Sequence, residues 1–143
     1  MNNWFECKVK FEKIGEDGIS KKVSEPYLVS ALSFTEAEQR VIKEVTPFVS
    51  GEFSVNAVKK SKIAELFYSD WETWYRAKVN FISLNEEKGI EKKTAVTMMV
   101  QADNIAKALG YLVDKLSSTL SDWEIASISE TAIIEVYTYN ENN

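Results

Sequence analysis

Apolar and polar residues alternate over residues 4–14, which is the period of a β-strand with one buried face. The apolar positions of this strand are Phe5, Cys7, Val9 and Phe11. The turn-forming residues Gly, Glu, Asp and Gly occupy positions 15–18, and a second strand extends to about Ser30. The pattern therefore predicts a β-hairpin.

After the hairpin, the apolar residues follow the spacing of a helix. Ser33 and Glu36 form a capping-box pattern, in which the Ser side chain accepts from the amide three residues on and the Glu reaches back. The predicted buried face of the helix consists of Ala37, Val41, Val45 and Phe48. Pro47 and Gly51 mark the predicted end of this helix.

Two short strands, near 52–58 and 61–68, complete a ββαββ element, and the same chemistry recurs seventy positions later. The early matches are Trp4, Lys8, Val9 and Phe11 with Trp74, Lys78, Val79 and Phe81. The late matches are Phe53, Val55, Val58, Ile63, Glu65 and Phe67 with Trp123, Ile125, Ile128, Ile133, Glu135 and Tyr137. The sequence therefore predicts a tandem duplication, with repeats at 1–70 and 71–140.

The second repeat has the same order of elements, with strands predicted near 73–84, 91–100, 122–129 and 131–139. Asp103 is the predicted N-cap of its helix. The apolar stripe of this helix, which we interpret as core, comprises Ile105, Ala108, Leu109, Leu112, Val113 and Leu116. Gly110 in mid-helix costs about 1 kcal/mol relative to Ala, which predicts a close approach to another element.

These elements predict an α+β fold. We expect an antiparallel sheet, or sheets, with the two helices packed on one face and an approximate twofold axis between the repeats. A chain of 143 residues has the size of one domain or of two very small ones, and we expect a single compact unit built of the two repeats. Residues 140–143 are polar and without apolar periodicity, which predicts a frayed tail.

Several strings resemble a family of small uncharacterised proteins, a domain of unknown function, from Bacteroidetes genomes and their phages. The strings are KKVSEPYLV at 21–29, ALSFTEAE at 31–38, GEF at 51–53, WYRAKV at 74–79 and EKKTA at 91–95. The resemblance covers nearly the whole chain. It implies a bacterial or phage source, and it brings no activity, cofactor or site residue with it.

The residue types present exclude several kinds of catalytic site. The chain has no histidine, so Ser-His-Asp and Cys-His sites are impossible. Its single cysteine, Cys7, excludes an internal disulfide and a Cys-based zinc site, and its strand position predicts a buried, inert thiol. None of the five glycines forms a phosphate-binding motif. We predict a non-enzyme without cofactor or metal; Asp, Glu and Asn gathered around Mg²⁺ across the repeats stay an alternative.

Charge and hydropathy point to a cytoplasmic protein. Residues 1–4 show no basic segment followed by an apolar one, and no run of eighteen apolar residues occurs. We therefore expect neither export nor a membrane span. The net charge of −5 argues against a protein that coats nucleic acid, although it leaves room for a local basic face.

The candidate binding face lies on the outward side of the two leading strands, where aromatic and cationic residues recur in both repeats. It comprises Trp4, Lys8, Lys10, Trp74, Arg76 and Lys78. Such residues can stack bases and pair phosphates, as in single-strand binders, or they can be ordinary outward residues of a sheet. The leading hypothesis is a protein-binding or assembly module, with homo-oligomers as one form. The alternatives are single-stranded nucleic-acid binding and sequestration of a small molecule or nucleotide.

Overall fold

The computed structural model describes residues 3–138, so the predicted frayed tail at 140–143 lies outside the described residues. The elements in chain order are β1 (Asn3–Ile14), β2 (Ser20–Ala31), α1 (Phe34–Val45), a 3₁₀ turn (Thr46–Phe48), β3 (Phe53–Ser61), β4 (Glu65–Phe67), β5 (Thr73–Asn85), β6 (Ile90–Ala102), α2 (Ile105–Leu116), β7 (Asp122–Glu130) and β8 (Glu135–Tyr137). The predicted α+β class and the repeated ββαββ order are confirmed.

The eight strands form two four-stranded sheets, with the orders β3-β1-β2-β8 and β4-β6-β5-β7. The three long strands of each sheet are antiparallel, as expected for hairpins. The short edge strands are different, because β8 runs parallel to β2 and β4 runs parallel to β6. Both sheets are therefore mixed, which the sequence did not predict.

The last strand of each repeat belongs to the sheet of the other repeat. The contacts divide the chain into two compact units, of which the first holds the residues up to Ser61 and those from Ile133 onward. The second unit is Lys62–Ala132. The unit boundaries consequently fall between β3 and β4 and between β7 and β8, whereas the repeats meet near residue 70.

One helix packs on one face of each sheet and closes a core there. The buried core of the first unit consists of Phe5, Cys7, Val9, Tyr27, Val29, Ala31, Ala37, Val41 and Val45. That of the second consists of Tyr75, Ala77, Val79, Met98, Val100, Ala102, Ala108, Leu112 and Leu116. These are alternating strand positions and helix positions three or four apart, as the patterns predict.

The start of α1 follows the predicted capping box. The Ser33 hydroxyl accepts from the amide of Glu36 at 3.1 Å, and the Glu36 carboxylate accepts from the amide of Leu32 at 3.4 Å. The predicted place of Phe48 on the buried helix face is wrong. Pro47 lacks an amide proton, the chain tightens into the 3₁₀ turn there, and Phe48 is exposed.

The sequence-based description of α2 needs three corrections. Its N-cap is Asn104, whose side chain accepts from the amide of Lys107 at 2.8 Å, rather than Asp103. Three residues of the apolar stripe, spaced four positions apart along the helix, are buried, namely Ala108, Leu112 and Leu116. The remaining stripe residues, Ile105, Leu109 and Val113, are exposed. No atom lies within 4 Å of a Cβ built at Gly110, so the predicted close approach is wrong within the described residues.

Candidate functional site

The two long hairpins extend beyond the helices that cover them. A helix of twelve residues is about 18 Å long, whereas a strand of twelve or thirteen residues spans about 40 Å. Each helix can therefore cover about half of its hairpin. Residues 12–22 of the first hairpin and 83–95 of the second are exposed throughout. We call these two segments the hairpin ends.

Each hairpin end exposes two large aliphatic side chains beside its turn. Ile14 and Ile19 in the first, and Leu84 and Ile90 in the second, are between 57% and 73% exposed. The repeat alignment pairs Ile14 with Leu84 and Ile19 with Ile90. Scattered single apolar residues are common on protein surfaces, but here the same pair occurs at the same place in both repeats.

Local hydrogen bonds determine the shape of each turn. In the first, the Asp17 side chain accepts from the amide of Ile19 at 3.0 Å, and Gly18 has a φ of 76°. In the second, the Asn85 side chain accepts from two successive amides at 3.1 and 3.3 Å, and Gly89 has a φ of 61°. A left-handed glycine thus precedes the aliphatic residue in both turns.

The hairpin ends carry balanced charge. Residues 12–22 and residues 83–95 each contain three acidic and three basic side chains. In the second hairpin end, Lys93 is joined to Glu124 of β7 at 2.9 Å, and Glu124 also accepts from the Asn80 side chain at 3.1 Å. The hydrogen bond from Lys93 lowers the pKa of the Glu124 carboxyl.

Open depressions border the hairpins. One of about 730 Å³ lies along the second hairpin end and is lined in part by Leu84, Lys88 and Ile90. One of about 420 Å³ lies along the first hairpin end, beside Lys13 and Asp17. Another, of about 570 Å³, is lined by residues including Lys10, Lys22 and Phe53. In the described part of the chain, no three acidic or cysteine side chains are grouped as metal ligands would be.

The candidate residues predicted on β1 lie on the sheet face away from α1, as the alternation requires. Lys8 and Lys10 are exposed, and Trp4 is half-buried. Trp4 is aligned with Ser30 on β2, and the next position along that face of β2 is the fully buried Leu28. The aromatic end of this face is therefore covered, while its cationic end is open to solvent.

The matching residues on β5 are likewise buried at the aromatic end and exposed at the cationic end. Trp74 is 2% exposed, and the ring of Tyr68 lies edge-on against it at 5.3 Å. The amide and hydroxyl of Thr131 donate to the Trp74 carbonyl at 2.9 and 2.8 Å. Arg76 is half-buried and Lys78 is exposed. The Trp74 ring is thus buried within the protein, and a base cannot stack on it.

The polar groups of the first core have raised pKa values. Burial, with a contribution from Glu38 and Glu6, raises the pKa of the Cys7 thiol to about 11. Burial raises the pKa of Tyr137 to about 12, and its ring stacks on Tyr27 at 6.1 Å. At neutral pH Cys7 is a neutral thiol in a closed core, so it is a poor nucleophile.

The family match covers both repeats. Residues 3–139 match the family described as "Domain of unknown function (DUF4494)". The chain belongs to this family. The predicted resemblance to a domain of unknown function is confirmed, whereas a Bacteroidetes or phage source stays a prediction. No curated protein and no solved structure matches the chain.

The match spans nearly the whole chain. The pairing of each last strand with the sheet of the other repeat, and both hairpin ends, therefore lie within this DUF4494 domain. Neither of its two helices within residues 3–138 could cross a membrane. The hairpin ends were missed as a site from sequence. Their signal was nevertheless present, because Ile14, Ile19, Leu84 and Ile90 are repeat-related aliphatic residues beyond the reach of a twelve-residue helix.

Proposed function

We propose that this DUF4494 domain is a non-enzymatic protein-binding or assembly module, of bacterial or phage origin, in which each hairpin end is a contact surface for a protein partner. The observation that supports this function is the repeated pair of exposed aliphatic residues next to each turn, at Ile14 and Ile19 and at Leu84 and Ile90. Full burial of one such side chain contributes about 1.5–3 kcal/mol. Each hairpin end supplies two of them as the apolar centre of a contact.

The surroundings of these residues suit a protein partner. Protein interfaces combine an apolar centre with a polar, solvated rim, and the balanced charges around each turn supply such a rim. A nucleic-acid backbone would instead need an excess of cations, which neither hairpin end has. Sequestration of a small molecule would use the open depressions along the hairpins.

Site-specific photo-crosslinking in the source cells tests this proposal. A benzophenone amino acid at Ile14 or Leu84 should give a discrete adduct larger than the 16.3 kDa chain. The same group at Glu38, an exposed position of α1, is the matched control and should give none. The adduct should be lost on protease treatment and not on nuclease treatment.

A double variant links the adduct to binding by the exposed aliphatic residues. Ile19→Ser combined with Ile90→Ser keeps the turns, because both residues are exposed and neither side chain belongs to a core. We expect the adducts to disappear in this variant while the circular dichroism spectrum is unchanged. Adducts that persist, that are nuclease-sensitive or that are equal at position 38 would contradict the proposed function.

A further inference from the structure

A carboxylate on the second sheet, on the face away from α2, is held by side chains of two other strands. The Glu124 carboxylate of β7 accepts from the Asn80 side chain of β5 at 3.1 Å and is joined to the Lys93 ammonium of β6 at 2.9 Å. Glu124 is opposite Asn80, and Lys93 is opposite Ile82, the next residue of that face of β5. The three polar side chains therefore form a line across three strands.

The first sheet has the equivalent line without its carboxylate. The repeat alignment pairs Asn80 with Lys10, Lys93 with Lys22 and Glu124 with Ser54. The strand register agrees, because Ser54 of β3 is opposite Lys10 of β1, and Lys22 of β2 is opposite Glu12, the next residue of that face. Among the residues that the structure describes, neither Lys10 nor Lys22 forms an ion pair. Two cations thus flank the position at which the second repeat has an anion of its own.

An open depression of about 570 Å³ lies at this position, and Lys10, Lys22 and Ser54 all line it. Its volume is within the range of about 300–1,000 Å³ that is usual for small-molecule sites. A carboxylate placed there as that of Glu124 is placed in the second sheet would accept from two ammonium groups and from the Ser54 hydroxyl. Hydrogen bonds between charged groups are stronger than those between neutral groups, so the donors suit an anion.

Two acidic side chains, Glu12 and Glu52, line the same depression. Glu12 is directed towards the turn of the hairpin, where its carboxylate accepts from the Ser20 hydroxyl at 3.3 Å. The two acids balance the charges of Lys10 and Lys22, so the depression as a whole has no excess of positive charge to attract anions in general. Binding therefore depends on where the donors lie, and a singly charged carboxylate suits the site better than a phosphate dianion.

We propose that this depression binds the carboxylate group of a small organic acid, with Lys10, Lys22 and Ser54 as the donors. Phe11 and Phe53 are half-buried and line the same depression, so they offer apolar surface to the rest of the ligand. Both lysines are exposed, and water and salt weaken exposed ion pairs, so we expect a dissociation constant on the order of 1 mM.

The carboxylate site goes beyond the function proposed for the hairpin ends. It shares Lys22 with the first hairpin end but uses none of the exposed aliphatic residues. Ile19→Ser combined with Ile90→Ser, which should abolish the adducts, should therefore leave carboxylate binding unchanged. The two proposals can fail separately.

Titration of the full chain with benzoate, followed by amide chemical shifts in NMR spectra at constant ionic strength, tests the site. The amides of Lys10, Lys22 and Ser54 should shift and reach saturation. Benzamide has the same ring without the charge and should cause no such shifts. Inorganic phosphate, as a general anion, should bind more weakly than benzoate.

Ser54→Glu copies the second repeat and is the decisive variant. The new carboxylate should pair with Lys22, occupy the position of the ligand and weaken benzoate binding by about tenfold or more. Asn56→Glu is the matched control, because it adds the same charge at an exposed position of the same strand, outside the depression. It should bind benzoate as the wild type does. Ser54 and Asn56 are both exposed, so neither variant should unfold.

A second pair of variants removes the cations. Lys10→Gln combined with Lys22→Gln should abolish benzoate binding. Lys13→Gln combined with Lys21→Gln removes the same charge from two facing positions nearer the turn and should not. The proposal is overturned by a wild type without saturable shifts, by benzamide or phosphate that binds as tightly as benzoate, by Ser54→Glu that still binds, or by control variants that lose binding equally.

Discussion

Replacing Tyr137 by Ala should loosen the first unit, although Tyr137 lies in the second repeat. Its strand β8 pairs with β2, where Tyr137 is aligned with Val29. Its ring stacks on Tyr27 at 6.1 Å and packs against the first core. The next carbonyl, that of Thr138, accepts from the Arg40 guanidinium at 3.0 Å. The equivalent residue of the first repeat, Phe67, packs against the second core instead.

The size of the effect follows from burial. A fully buried aromatic residue replaced by Ala costs about 3–5 kcal/mol, and an aromatic pair adds about 0.5–1.5 kcal/mol. Tyr137 is only half-buried, so we expect a loss of about 2 kcal/mol in the free energy of opening of the first unit. Where exchange follows the opening equilibrium, this loss corresponds to a roughly 30-fold faster exchange of the amide protons of the first unit.

Native-state hydrogen exchange followed by NMR measures this effect residue by residue. In Tyr137→Ala, amides of β1, β2 and α1 should exchange faster, and those of β5, β6 and α2 should be unchanged. Phe67→Ala should give the opposite result. Tyr111→Ala, at an exposed position of α2, is the control and should affect neither unit strongly. If Tyr137→Ala instead accelerates hydrogen exchange in the second unit, each repeat keeps its own last strand. The pairing of each last strand with the sheet of the other repeat would then be refuted.

Three further predictions concern single groups. Trp74→Ala should lower the free energy of unfolding by about 3–5 kcal/mol in urea titration, and Trp4→Ala by less, because only Trp74 is fully buried. Stability should fall as the pH rises from 9 to about 11, because the pKa of Cys7 is raised from 9.0 to about 11 on folding; Cys7→Ala should flatten this part of the curve. Asn104→Ala should cost about 1 kcal/mol in thermal unfolding, whereas Asp103→Ala should have little effect.

Each of these predictions has an outcome that contradicts it. Unchanged stability with weakened oligonucleotide binding in Trp74→Ala would restore the stacking role predicted from sequence. A pH profile that is the same with and without Cys7 would show that the thiol is not the titrating group. A larger cost at Asp103 than at Asn104 would contradict the observed cap.

Short-range patterns were enough to predict most of the elements. The alternation in β1 and β5, the capping box at Ser33 and the glycine turns each depend on residues a few positions apart, and the structure has all of them. The same local signals placed Lys8 and Lys78 on an outward face. They did not reveal how far each hairpin extends past its helix, since this depends on the lengths of two packed elements.

The pairing of the last strands depended on the fold as a whole. The partners on β2 and β6 offer similar apolar runs, Tyr27 to Val29 and Met98 to Val100, and the incoming strands are similar too, with Phe67 and Tyr137 at equivalent positions. Because the two repeats are related in sequence, pairing within a repeat and pairing between repeats satisfy nearly the same side-chain pattern. Only three residues, 62–64, connect β3 to β4, yet β4 pairs with β6 of the second sheet, and tertiary contacts, such as that of Phe67 with the second core, accompany this pairing.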